Sequence, residues 1–233
     1  MTNFHMKVRA EKDGRSTLRR FEDSSVQKHL NKPIEKGMIL FYGSSGFSRW
    51  KPFWGHRPLE EDIRMKDGSP AAVNNGFGGS TAEEGLYYYP RLVRPWEPRA
   101  LVLRFFPNDY GFGYSPTEIV YLLGRMCAWA REDFPGIKLY ICDATPGKRY
   151  MFNEPWQEKA KEYNRLAREY CDQYEDCTYI SQVDWPGFYE NPEDAGDYDK
   201  IRTDIFVKDG VHFNQDGYDI YRDLFLNVLD DIL

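Results

Sequence analysis

Five short apolar runs, spaced too widely for hairpins, constrain this chain more than any other feature. They are MILFY at 38–42, AAV at 71–73, ALVLRFF at 100–106, IKLYICDA at 137–144 and CTYISQV at 177–183. Antiparallel neighbours can be joined by two residues, whereas parallel neighbours need a crossover of roughly a dozen or more, usually a helix. The intervals supply such helices. TAEEGLYYYPRLV (81–93) opens with Ser80 or Thr81 as a cap and acidic residues in its first turn, and SPTEIVYLLGRMCAWARED (115–133) starts with Ser115, Pro116 and Glu118. Apolar residues recur at helical spacing there, again over about 155–174, and again in NQDGYDIYRDLFLNVLDDIL at 214–233. The pattern predicts an α/β fold built on a five-stranded parallel sheet with helices on both faces. With 233 residues and no linker, it reads as a polar leader over 1–34 and one domain over 35–233.

A sheet of this kind places its chemistry in the loops beyond the carboxyl ends of its strands. GSSGFSRW follows the first run, NNGFGGS the second and PNDYGFG the third, while DGVHFN lies between the fifth run and the last helix. Ser44, Ser45 and Ser48 are candidate nucleophiles, and a serine hydroxyl needs an imidazole to take its proton and an acceptor on the far ring nitrogen. The chain has four histidines, His5, His29, His56 and His212. Of these, His212 has a carboxylate, Asp209, three residues before it, close enough in a turn to meet Nδ1. An oxyanion on a reacting carbonyl would need donors. The nucleophile's own N–H, a glycine N–H among Gly76, Gly78 and Gly79, and the Asn108 amide stand at strand ends.

Taken in order, serine, glycine, asparagine and histidine, these four blocks resemble the SGNH hydrolases, also called GDSL-like lipases or acylhydrolases. The resemblance covers roughly residues 35–233, in the Gly-Ser-Ser form of acetylhydrolase-like members. It implies a single-domain flavodoxin-like three-layer α/β/α sandwich and a serine esterase working through an acyl-serine intermediate. It selects Ser45 as nucleophile, His212 and Asp209 as base and orienting acid, and Ser45 N–H, Gly79 N–H and Asn108 as the oxyanion hole. Phe106 and Pro107 depart from the pattern, since the third block commonly begins with glycine, and Ser44 stands where aspartate is usual. The expected substrate is a small ester with a short acyl group such as acetyl, carried by a carbohydrate or another polar alcohol. The alternative is a non-catalytic glycan- or ligand-binding protein that keeps the fold.

Other residues carry two readings each. Trp50, Trp54 and His56 either wall a substrate pocket or pack as core. Arg149 either meets an anionic substrate group or forms a surface ion pair. The acidic stretch at 184–200 reads as a solvated insertion near the mouth of the site, without the regular spacing of a calcium loop. A net charge of -6 with scattered lysines and arginines argues against a nucleic-acid partner, and the short RSTLRR tract at 15–20 reads as a solvated face. No apolar stretch suits export or membrane crossing, so the expectation is a cytoplasmic protein without a membrane partner. The four cysteines lack CxxC spacing, so neither zinc nor a disulfide framework is expected, and no metal or organic cofactor is implied. The oligomeric state leaves no trace in the sequence.

Overall fold

The structure, a computed structural model, describes residues 21–233; the start of the leader, with His5 and the tract at 15–20, lies outside the described residues. The described backbone begins as a π turn (Glu22–Val26) and continues into α1 (Gln27–Leu30). Phe21 and Val26 are fully buried, and Phe21 meets Phe77 and Tyr88 edge-on. The end of the leader therefore packs onto the domain, because two apolar side chains among charged neighbours suffice to anchor one helical face.

Five strands, β1 (Ile39–Gly43), β2 (Ala72–Asn74), β3 (Ala100–Arg104), β4 (Lys138–Cys142) and β5 (Cys177–Ile180), form one sheet in the order β2-β1-β3-β4-β5. Every pairing is parallel, with Ile39 opposite Ala72 on one side and Ala100 on the other. The helices that position the site are α2 (Ser45–Ser48), α3 (Leu59–Asp62), α4 (Ala82–Leu92), α5 (Pro107–Gly111), α6 (Pro116–Asp133), α7 (Glu154–Cys171) and α8 (Gln215–Val228). Both α4 and α6 start with a capping box, Thr81 with Glu84 and Ser115 with Glu118, which satisfies their first free N–H groups.

Successive residues of a strand face opposite sides of its sheet. On β1, Phe41 packs edge-on against Phe225 of α8 at 5.0 Å, while the Tyr42 hydroxyl donates to the Gly85 carbonyl of α4 at 2.8 Å. Helices thus cover both faces, giving the three-layer sandwich. All five residues of β1 are buried, which is why it reads as a continuous apolar run rather than an alternating one. Strand order reverses between β1 and β3, so their onward connections diverge and leave a crevice at the carboxyl ends. All four cysteines are buried free thiols, and no helix among the described residues is long and apolar enough to cross a membrane.

The stretch at 184–200 differs from the sequence expectation. Most of its carboxylates lie outward, but Asp199 accepts from the Phe152 N–H and the Gln157 amide, and Phe188, Tyr189 and Tyr198 are buried, so it is a folded segment held by aromatic anchors. Among the described residues, no group of three or more His, Cys, Asp or Glu side chains is arranged to hold a metal ion.

Candidate active site

Two glycines of GSSG let the first loop form. A Cβ on Gly43 would lie 2.3 Å from the Arg104 carbonyl oxygen, and one on Gly46 would lie 2.0 Å from the Arg104 guanidinium. The first approach meets backbone and admits no larger residue, while the second would require the buried Arg104 side chain to move. Ser44 is extended at φ -92° and caps α2: its N–H donates to the Arg104 carbonyl at 3.2 Å, and its own carbonyl accepts from Phe47 and Ser48. Ser45 is the first residue of α2, where a helix leaves its N–H without an intrahelical acceptor.

The Ser45 hydroxyl lies 2.9 Å from His212 Nε2, and His212 Nδ1 lies 2.7 Å from Asp209 Oδ2. The other Asp209 oxygen accepts from the N–H groups of Val211 and His212 at 2.9 and 3.0 Å, which closes the DGVH turn and fixes the carboxylate toward the ring. Arg49 also reaches Asp209, at 3.3 Å. Burial would raise the Asp209 pKa, but hydrogen bonds from the His212 backbone and ring and from Val211 hold it at about 2. Burial lowers the His212 pKa despite the opposing pull of Asp209, and Arg49 and Arg104 lower it further. The ring is therefore neutral at neutral pH, the form able to take a hydroxyl proton.

The turn after β2 runs alongside. A Cβ on Gly78 would stand 3.8 Å from Ser45 Cβ, and Gly79 follows with φ +82°. The Asn108 amide nitrogen donates to the Ser80 carbonyl at 3.0 Å, tying α5 to the residue after Gly79. An amide nitrogen has two hydrogens, so one stays available. Asn108 lines the cleft with Ser45 and His212; Gly79 does not line it. Beneath Asn108, the buried Asp109 carboxylate accepts from the N–H of Ala82 at 2.6 Å and of Phe106 at 3.0 Å. Burial pushes its pKa up to about 7. Phe106 occupies φ 123°, ψ -60°, a region that favours glycine. Phe106 thus takes a backbone conformation suited to glycine at the position where the family pattern has glycine, and its fully buried ring is clamped against Tyr163 at 4.6 Å.

The aromatic loop needs correction. Trp50 is fully buried, donates from Nε1 to Asp62 at 2.8 Å and stacks on Tyr218 and Tyr221, so it walls no substrate pocket. His56 is also buried, its ring 4.7 Å from that of Tyr218, outside the catalytic cleft. Trp54 is 44% exposed; it carries Arg49 on its face at 4.3 Å and borders a second cleft with Phe53, Lys51 and His29.

Several site neighbours escape the sequence reading. His29 bonds the Gly76 carbonyl at 3.1 Å, and burial lowers its pKa to about 3. The Tyr218 hydroxyl donates to the Gly46 carbonyl at 3.1 Å. Arg104 and Tyr150 line the cleft. An arginine closing an otherwise apolar strand, as in ALVLRFF, is a legible signal; Tyr150 has none.

The profile of the GDSL-like lipase/acylhydrolase family matches residues 41–220. No curated protein matches the chain in sequence. Among solved structures, similar ones include a candidate platelet activating factor protein from Streptococcus pneumonia, at TM-score 0.72 and 18% identity over 91% of this chain and 94% of that one. A lipase/acylhydrolase from Enterococcus faecalis aligns at TM-score 0.64 and 19% identity over 85% and 97%. A variant of an acetyl-xylooligosaccharide esterase from Geobacillus stearmophilus aligns at TM-score 0.61 and 15% identity over 84% and 95%.

Proposed function

This chain belongs to the GDSL-like lipase/acylhydrolase family, and on that premise we propose that it is a serine esterase acting on a small ester with a short acyl group. The observation that carries this reading is the unbroken relay from Ser45 through His212 to Asp209, with distances of 2.9 and 2.7 Å. His212 takes the hydroxyl proton as Ser45 attacks the carbonyl carbon, and returns it to the departing alcohol. Water then repeats the sequence on the acyl-serine. Asp209 holds the ring tautomer and stabilises the imidazolium. Ser45 N–H and the second Asn108 N–H, both at the cleft, receive the oxyanion, and the family pattern adds the Gly79 N–H from the turn beside Ser45.

The free volume of the catalytic cleft is about 30 Å³, room for only about two water-sized groups, which supports an acetyl-sized acyl group. The alcohol is a polar one, such as a carbohydrate, leaving through the open side.

Fluorophosphonate labelling tests the reading, because it requires an activated serine. Wild type labels on Ser45 and hydrolyses p-nitrophenyl acetate faster than longer uncharged acyl esters; Ser45→Ala loses both label and turnover, and Ser44→Ala keeps the label. An adduct on Ser44, or labelling that survives Ser45→Ala, refutes the assignment. A protein that neither labels nor turns over any ester is a binder on the same fold.

A further inference from the structure

The cleft beside Ser45 holds more positive charge than the relay uses. Arg104 is 7% exposed and has no carboxylate partner among the described residues; its Nε donates to the Thr145 hydroxyl at 2.7 Å. Its two terminal nitrogens bond nothing among the described residues, and they lie against Gly46, the residue after Ser45. Arg149 enters from the loop after β4. Its guanidinium rests 5.4 Å from the Trp156 ring centroid and pairs with no carboxylate among the described residues. Burial lowers its pKa, and the nearby Arg104 adds to this. The nearest acid of the site, Asp209, is engaged by His212 and Arg49.

A third group points the same way. Tyr150 is 1% exposed, lines the same cleft, and has a buried hydroxyl with no hydrogen-bond partner among the described residues. A donor left in this state is costly to keep. Among the described residues, two guanidinium groups without acids and a hydroxyl without an acceptor form a set of donors still short of acceptors. A planar guanidinium fork matches the oxygens of a carboxylate or phosphate.

We propose that Arg104, Arg149 and Tyr150 form an anion subsite, and that the natural ester carries a carboxylate or phosphate on its acyl or alcohol part, a few bonds from the scissile carbonyl. This rests on the esterase reading for its substrate, but the subsite itself does not depend on turnover. The small cleft keeps the charged group near the reacting carbon, where its binding orients the carbonyl toward Ser45.

Matched ester pairs test it: p-nitrophenyl butyrate against p-nitrophenyl hemisuccinate, and phenyl acetate against its ring-carboxylated and ring-phosphorylated counterparts. In wild type at least one anionic member exceeds its neutral partner in kcat/KM by about tenfold or more, and the favoured member identifies which oxyacid is read and on which side. Arg149→Gln and Tyr150→Phe each lower that anionic-to-neutral ratio, Arg149→Gln by about ten- to a hundredfold, as expected for losing a charge-assisted hydrogen bond. Ratios at or below one for every pair in wild type, or ratios unmoved in both variants, overturn the subsite and leave the esterase reading intact. If wild type turns over no ester and takes no fluorophosphonate label, that reading falls alone. Calorimetry with inorganic phosphate and with malonate then decides the subsite: binding that weakens in Arg149→Gln supports it, and absence of binding overturns it.

Discussion

Replacing Phe106 isolates the backbone strain at the entrance to α5. At φ 123°, ψ -60° a residue with a Cβ is strained, at a cost of about 1–3 kcal/mol. The fully buried ring, stacked on Tyr163, offsets that cost. Phe106→Ala removes the ring and keeps the strain, so a loss of about 3–5 kcal/mol is expected from burial and cavity terms. Phe106→Gly leaves the same void but relieves the strain. Glycine normally trails alanine by about 0.5–1 kcal/mol through its larger entropy in the unfolded chain. Subtracting that from the strain leaves Phe106→Gly more stable than Phe106→Ala by about 0–2.5 kcal/mol, centred at about 1 kcal/mol, which is a Tm difference of about 2–4 °C for a domain of this size. Urea unfolding of the two variants side by side, with matched m-values, reads the difference directly. If Phe106→Gly is the less stable of the two, the strain is absent and the loop owes its shape to something other than the ring.

Three further outcomes follow from the relay. Because burial and two arginines lower the His212 pKa below its ordinary 6.5, the acid limb of kcat/KM should fall below pH 6.5; a profile flat to pH 4 removes His212 as the base. The same shift makes the unfolded chain bind the proton more readily, so this group's contribution to stability declines as pH drops below 6.5. Asp209→Asn keeps an oxygen for the Val211 and His212 N–H groups yet presents the ring with the wrong tautomer partner, so kcat should drop by about 1,000- to 10,000-fold with little change in Tm; near wild-type turnover would mean that another acceptor orients the ring. Asn108→Ala should cost about 3 kcal/mol in kcat, whereas a change confined to KM would make Asn108 a ground-state contact.

The strands were legible because β1, β2 and β3 are buried on both faces and β4 nearly so, but where they end was not. ALVLRFF reads as seven strand residues, yet β3 stops at Arg104, since Phe106 turns into a backbone region that no hydrophobic pattern encodes. Likewise CTYISQV reads as strand to Val183, but β5 ends at Ile180, and Gln182 and Val183 are buried in the loop beyond it. The four loop blocks could be found since they recur in a fixed order at strand ends. What surrounds them could not. Trp50 follows the nucleophile candidate in sequence but turns inward beneath Tyr218, and nothing in its neighbours' polarity reveals that α8 would cover it. For Arg149 a surface ion pair is the reading the sequence favours; only the folded arrangement shows that no acid among the described residues meets it.

The DGVH turn has a consequence for the order in which the molecule is made. Asp209 and His212 meet through three residues of local chain, so the dyad forms as soon as its own loop does. The Ser45 contact spans 167 residues. At translation speeds of roughly 5–20 residues per second, about 10–30 s pass between synthesis of the hydroxyl and synthesis of its base. Throughout that interval the ribosome holds a growing chain whose serine has no proton acceptor, so reactivity toward esters switches on only with the docking of the segment that also carries α8, and its appearance serves as a clock for completed folding.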